Sequence, residues 1–209
     1  MNMAEFNQVK NMNYLQYCDY LQAKYGIGKY DYMTKSFNKN PKCSRTKEGL
    51  VVHHKAENIM IMLSTKEIAE RCPFEWQKKE NLVYCDYLEH LLLHVLICKY
   101  PSKMANPHVD VGVGGVVNFI APELNDVYSG WLTKQEWRKN CHLKIINDEA
   151  VYLEIMRMFV EWYKSLYKVN KQLLRTSFNE QYGKWHKDMN YKIFKKLDKL
   201  WGKKFFGLF

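Results

Sequence analysis

Four histidines and an asparagine form the pattern in this chain best suited to chemistry: His53 and His54 side by side, Asn81, then His90 and His94. Imidazole nitrogens bind divalent ions and exchange protons near neutral pH, so such a set can hold a metal and supply a base at one site. His53 and His54 close the run Gly49-Leu50-Val51-Val52-His53-His54, whose β-branched residues favour a strand. Successive strand side chains point to opposite faces, so one histidine can face a metal while its neighbour faces something else. His90 and His94 sit in the apolar stretch from Cys85 to Ile97, a helix pattern in which spacing i, i+4 stacks both imidazoles on one face. That helix is apolar nearly all round and predicts burial, where a neutral imidazole must find a partner; one shared ligand explains two such histidines better than two unrelated partners.

The elements that must position these residues follow from the same periodicities. Tyr14, Leu15, Cys18, Leu21 and Tyr25 at helical spacing predict a helix over about 12–25, closed by Gly26. A basic, polar loop, residues 28–47, leads into the His53 strand. Ser64 with Glu67 reads as a capping box for a short helix ended by Pro73. Residues 80–85 read as a second strand running into the His90 helix, with Asp86 as its cap. Residues 112–115, Gly-Val-Gly-Gly, read as a loop, and 147–167 as an amphipathic helix. The outcome is an α+β protein with a single domain over 1–182, a strand–strand–helix core at about 44–98, and a basic amphipathic helix over 183–209.

Thirty-two Lys and Arg against 22 Asp and Glu leave a net charge of +10, which favours polyanionic partners. The six cysteines contain no C-x-x-C pair, which excludes a structural zinc ribbon and suits reduced thiols in a cytoplasmic protein. The opening 30 residues hold no continuous apolar stretch, and the His90 helix is too short for a bilayer, so neither a signal peptide nor stable membrane insertion is expected.

With Val51-Val52-His53-His54 as first strand, Asn81-Leu82-Val83-Tyr84 as second, Asn81 nine residues before His90 and His94 one turn later, the chain resembles the HNH, or ββα-metal, nucleases. The resemblance covers about residues 44–98. It implies a divalent-metal-dependent endonuclease acting on nucleic acid, DNA ahead of RNA. It implies His54 as the general base that activates water, His53, His90 and His94 as metal ligands, and Asn81 as the residue that fixes the loop and strand around the base. Three neutral histidines suit Zn²⁺, Ni²⁺, Co²⁺ or Mn²⁺ better than Mg²⁺, though open positions also let Mg²⁺ support turnover. The connection from His54 to Asn81 is longer than in many family members, and their zinc-binding cysteines are missing.

Arg45 and Lys47 precede the first strand and are candidates to touch a phosphate beside the scissile one. The tail, 183–209, holds 8 Lys against 2 Asp, with Ile193, Phe194, Leu197, Leu200 and Trp201 at helical spacing and Lys203 among the lysines outside that stripe. Packing on the domain, gripping a nucleic-acid backbone and lying on an anionic membrane are, in that order, the uses open to it. His108, Asp110, His142 and His186 lack partners at ligand spacing and read as structural or exposed. The competing reading is a non-catalytic module in which the histidines hold a structural zinc and the basic surface binds nucleic acid or a protein.

Overall fold

The computed structural model describes residues 1–184 and 187–202; His186, Lys203 and the rest of the tail lie outside the described residues. In chain order the elements are α1 (Met3–Val9), α2 (Tyr14–Tyr25), β1 (Val51–His54), α3 (Lys66–Ala69), β2 (Leu82–Cys85), α4 (Tyr87–Lys99), α5 (Ala121–Tyr128), α6 (Glu136–Ile145), α7 (Glu149–Leu166), α8 (Phe178–Gln181) and α9 (Lys187–Leu200), with short 3₁₀ turns between them. The protein is mainly helical with one small sheet, an α+β arrangement.

α4 runs through the middle. Its leucines, together with Val95 and Ile97, are buried on every side, as an apolar circumference requires. α2, α6 and α7 pack around it. Its start is fixed by a reciprocal cap: the Asp86 side chain accepts from Glu89 N–H at 2.8 Å, and the Glu89 carboxylate accepts from Asp86 N–H at 2.7 Å. α2 begins with the same device, Asn13 paired with Gln16.

β1 and β2 pair antiparallel, with His53 opposite Val83 and His54 opposite Leu82. The strand alternation therefore divides the two histidines between two apolar layers. His53 shares a face with Val83 and Cys85, which belong to the main core around α4. His54 shares the other face with Leu82 and Val52, which pack with Tyr32, Met33, Cys43 and Ala69 in a second, smaller core.

Three local expectations need correction. Thr65, not Ser64, occupies the cap position of α3, and its side chain makes no capping bond there, because its hydroxyl turns back to the Met62 carbonyl at 2.9 Å. The second strand begins at Leu82 rather than 80, since residues 79–81 form a 3₁₀ turn. The glycine-rich segment 112–115 is not a loop throughout: from Gly115 it winds into a π-helical turn, Gly115–Ile120, that continues into α5. A wider turn brings Gly115 against α4, where a Cβ would lie 2.2 Å from Nδ1 of His94.

α9 lies against α5 and α7 through buried Ile193 and Leu197, with Trp201 just beyond its end. Asp126 of α5 holds this region from below. Its carboxylate accepts from the Ser177 hydroxyl, from Phe178 and Asn179 N–H at 3.1 Å each, and from the Asn179 amide at 2.8 Å. Among the described residues, no helix is long and apolar enough to cross a membrane.

Candidate metal centre

His53, His90 and His94 converge, and a residue the sequence reading passed over joins them: Glu57. One ligand atom from each of the four lies within 4.8 Å of every other. The strand delivers His53, one face of α4 delivers His90 and His94, and the 3₁₀ turn Lys55–Asn58 folds Glu57 back across the strand end. Glu57 Oε2 lies 3.4 Å from His53 Nδ1 and 3.5 Å from His94 Nε2, and His90 and His94 face each other through their Nε2 atoms at 3.3 Å. A tetrahedral ion with bonds of about 2.0–2.1 Å to nitrogen and oxygen has ligand–ligand edges of roughly 3.3 Å, which matches these separations.

The protons point to the same conclusion. Tyr14 Oη sits 2.9 Å from His53 Nε2 and donates to the Lys55 carbonyl at 3.0 Å, so it accepts from His53 Nε2–H. Burial holds the Tyr14 phenol well above its ordinary pKa, so it keeps its proton. The His53 tautomer is thereby set, and its Nδ1, buried and without a hydrogen-bond partner, turns a lone pair toward Glu57, His90 and His94. A cation placed among these lone pairs and the carboxylate would be bound by all of them. The residues present therefore fit a divalent ion, and the donor set of three imidazoles and one carboxylate suits zinc and its transition-metal neighbours.

The electrostatics favour ligand-ready protonation states. Burial pushes the His53 pKa down to about 3, with Glu57 opposing and His94 and His54 adding to the fall. His90 and His94 are lowered as well, chiefly by burial. Burial alone would raise Glu57, but His53, His54 and His94 outweigh it and keep the carboxylate ionised. Glu57 and His90 are the half-buried members of the cluster, whereas His94 is buried and His53 is fully enclosed.

His54 is not among the converging atoms. Its ring is buried edge-on to Tyr32, with centroids 4.5 Å apart. Its Nε2 lies 3.1 Å from Gln77 Oε1, and the Gln77 amide in turn donates to the Leu63 carbonyl at 3.1 Å. Gln77 thus presents its oxygen, Nε2 carries the proton, and Nδ1 keeps a lone pair 3.6 Å from Oε1 of Glu57. Asn81 touches neither histidine. Its amide donates to the Glu75 carbonyl at 2.8 Å, pinning the turn that carries Gln77.

Arg45 is taken up within the fold: it makes a two-pronged pair with Glu48 at 2.8 and 2.6 Å, donates to the Tyr25 carbonyl at 2.7 Å, and stacks on Tyr84. Lys47 is exposed. His142, fully buried, pairs with Glu123, which also takes both prongs of Arg138; this network stands apart from the four converging ligands. Asp110 accepts from Tyr167 at 2.8 Å.

No family model matches the chain, and neither a curated protein nor a solved structure is similar to it.

Glu57 joins the cluster, and Tyr14 and Gln77 contact His53 and His54, without having been expected from the sequence. For Glu57 a faint signal existed, a carboxylate four residues after a candidate ligand. Tyr14 and Gln77 offer none, being 39 and 23 residues from the histidines they touch.

Proposed function

We propose that the protein is a divalent-metal-dependent nuclease that hydrolyses phosphodiester bonds in nucleic acid, DNA ahead of RNA, in the manner implied by its resemblance to the ββα-metal enzymes. One observation carries this reading: the adjacent histidines are divided, with His53 turned to the four converging ligands and His54 left outside them with a lone pair at Glu57.

Hydrolysis of a phosphodiester needs a deprotonated water, in-line approach, and positive charge near the phosphate and the leaving oxygen. A bound divalent ion would supply that charge. His54 would take the proton from the attacking water through Nδ1, with Nε2–H held by Gln77 so that the ring cannot turn away. Asn81 would act at one remove, by holding the Gln77 turn through Glu75. Glu57 lines the gap between the base and the other ligands, and its Oε1 is an acceptor for the same water. Glu57 and His90, as the half-buried members of the cluster, mark the side from which substrate would come. The net charge of +10 favours a polyanionic substrate.

The specific observation on the other side is Glu57 itself. A fourth protein ligand closes a tetrahedral site, which is the arrangement of structural zinc. The two readings part in a cleavage assay on plasmid, linear DNA and RNA with Mg²⁺, Mn²⁺, Co²⁺, Ni²⁺ or Zn²⁺, or with EDTA, beside His54→Ala. The nuclease reading expects cutting that EDTA abolishes and that His54→Ala lowers by about 10² to 10⁴-fold while keeping the metal. Full metal binding with no cleavage under any ion would overturn it and leave the structural site.

A further inference from the structure

The chain leaves Glu57 through an unbroken apolar run, Ile59-Met60-Ile61-Met62-Leu63. Leu63 is buried in the fold, but Met60, Ile61 and Met62 are 39%, 42% and 49% exposed. Three consecutive apolar side chains in solvent are a liability that a loop beside a charged site has no structural need for. Met62 also stands at φ 61°, in the left-handed region that an unbranched non-glycine residue enters at a cost.

The tip is held in this shape. Thr65 bonds the Met62 carbonyl through both its N–H and its hydroxyl, at 3.0 and 2.9 Å. Met60 N–H bonds the Ala56 carbonyl at 3.1 Å, and the Asn58 carbonyl accepts from Ser102 N–H at 3.2 Å. That last bond ties the loop base to a segment presenting exposed Lys103 and Met104.

We infer that residues 60–62 are an apolar wedge that enters a base step of duplex DNA beside the phosphate held at the metal centre. The inference rests on the nuclease reading and adds the substrate form: a duplex that can be kinked, rather than single strands. Reach supports it. Ile61 is four residues from Glu57, and an extended chain covers at most about 3.6 Å per residue. The wedge therefore lies within about four base steps of the scissile phosphate, at 3.4 Å per step. Chemistry supports it as well, since Ile and Met are among the side chains that unstack base steps and bend the duplex. Charge selects this occupant over a neutral protein surface: exposed Lys66 follows the tip, Lys103 adjoins its base, and the whole chain carries +10.

The test uses the full-length, metal-loaded protein carrying His54→Ala, so that substrate is bound without being consumed, and short duplexes with 2-aminopurine placed at successive steps. Binding should raise 2-aminopurine fluorescence at one position and bring end-attached dyes closer together. Adding Ile61→Ser and Met62→Ser should remove both signals and weaken duplex binding by about tenfold or more. Co²⁺ binding by this variant should be unchanged, which shows that the centre and the fold survive.

A bound duplex that stays stacked at every position overturns the wedge, as does a serine variant that unstacks DNA like its parent. So does capture by phosphatidylglycerol vesicles in preference to the duplex. Cleavage by the wild-type protein is scored separately. Cutting without unstacking defeats the wedge alone, and unstacking without cutting under any ion defeats the nuclease reading alone.

Discussion

Gly115 is where a single methyl group should decide whether the metal centre forms. A Cβ at this position would lie 2.2 Å from Nδ1 and 2.3 Å from Cε1 of His94, about 1 Å short of ordinary van der Waals contact. The ring has little room to retreat. His94 is only 8% exposed, with the rings of His53 and His90 centred 5.1 and 4.9 Å away. Metal bonds tolerate displacements of about 0.2 Å, so a ring pushed by about 1 Å is lost as a ligand. Disturbing a group that merely orients a ligand costs about 10- to 100-fold in affinity, and displacing the ligand itself should cost at least the upper figure.

The neighbouring glycine provides the control. At Gly114 a Cβ would meet only the Asn118 amide at 3.7 Å, an ordinary contact. Both substitutions to alanine favour helix by a similar amount, about 0.5–1 kcal/mol, so propensity cancels between them. Co²⁺ titration followed by visible absorption should show Gly115→Ala binding about 100-fold or more weaker than wild type, and Gly114→Ala within a factor of about three. Equal affinities for the two variants would refute the claim that close approach of the π-helical turn positions His94.

Three further outcomes follow from the same geometry. Tyr14→Phe removes the acceptor that sets the His53 tautomer and should weaken metal binding by about 10- to 100-fold with the fold intact, read by calorimetry beside circular dichroism. In EDTA the protein should lose thermal stability as pH falls. His53 is held near 3, and His90, His94 and Glu57 are also lowered, so below about 6.5 the unfolded chain binds more protons than the folded one. Each such group contributes a slope of up to about 1.4 kcal/mol per pH unit, and an unchanged melting temperature between pH 7.5 and 4.5 would contradict it. Asp126→Ala strands the donors of Ser177, Phe178 and Asn179 and should cost about 3–5 kcal/mol in urea unfolding, with hydrogen exchange rising first in α8 and α9; a loss below about 1 kcal/mol would show that the carboxylate is not their anchor.

Much of the frame is legible in local patterns. The α4 boundaries follow from the Asp86–Glu89 cap and the all-round apolar run, and the facing of His90 and His94 follows from their spacing. The division of His53 from His54 follows from strand alternation, once β1 is recognised. The glycine-rich 112–115 segment misled, because glycine signals a turn equally well whether it serves a loop or makes room for a ring. Arg45 illustrates the complementary limit. Its position before β1 suggests a phosphate contact, but nothing local announces that three of its N–H groups go to Glu48 and to the carbonyl of Tyr25, 20 residues away.

By itself, then, the sequence determined three things: which histidines share a helix face, which one faces away from its neighbour, and the positive sign of the chain's own net charge. These rest on periods of 3.6 and 2 residues and on composition, none of which depends on distant contacts. The tertiary structure alone decided that Glu57 joins the three histidines, that Tyr14 sets the tautomer of His53, that Gln77 orients His54, and that Gly115 yields its space to His94. Each of those contacts is made where a turn or a second segment closes on the strand–helix pair. No repeat along the chain records such a meeting, because only packing brings the partners within bonding distance.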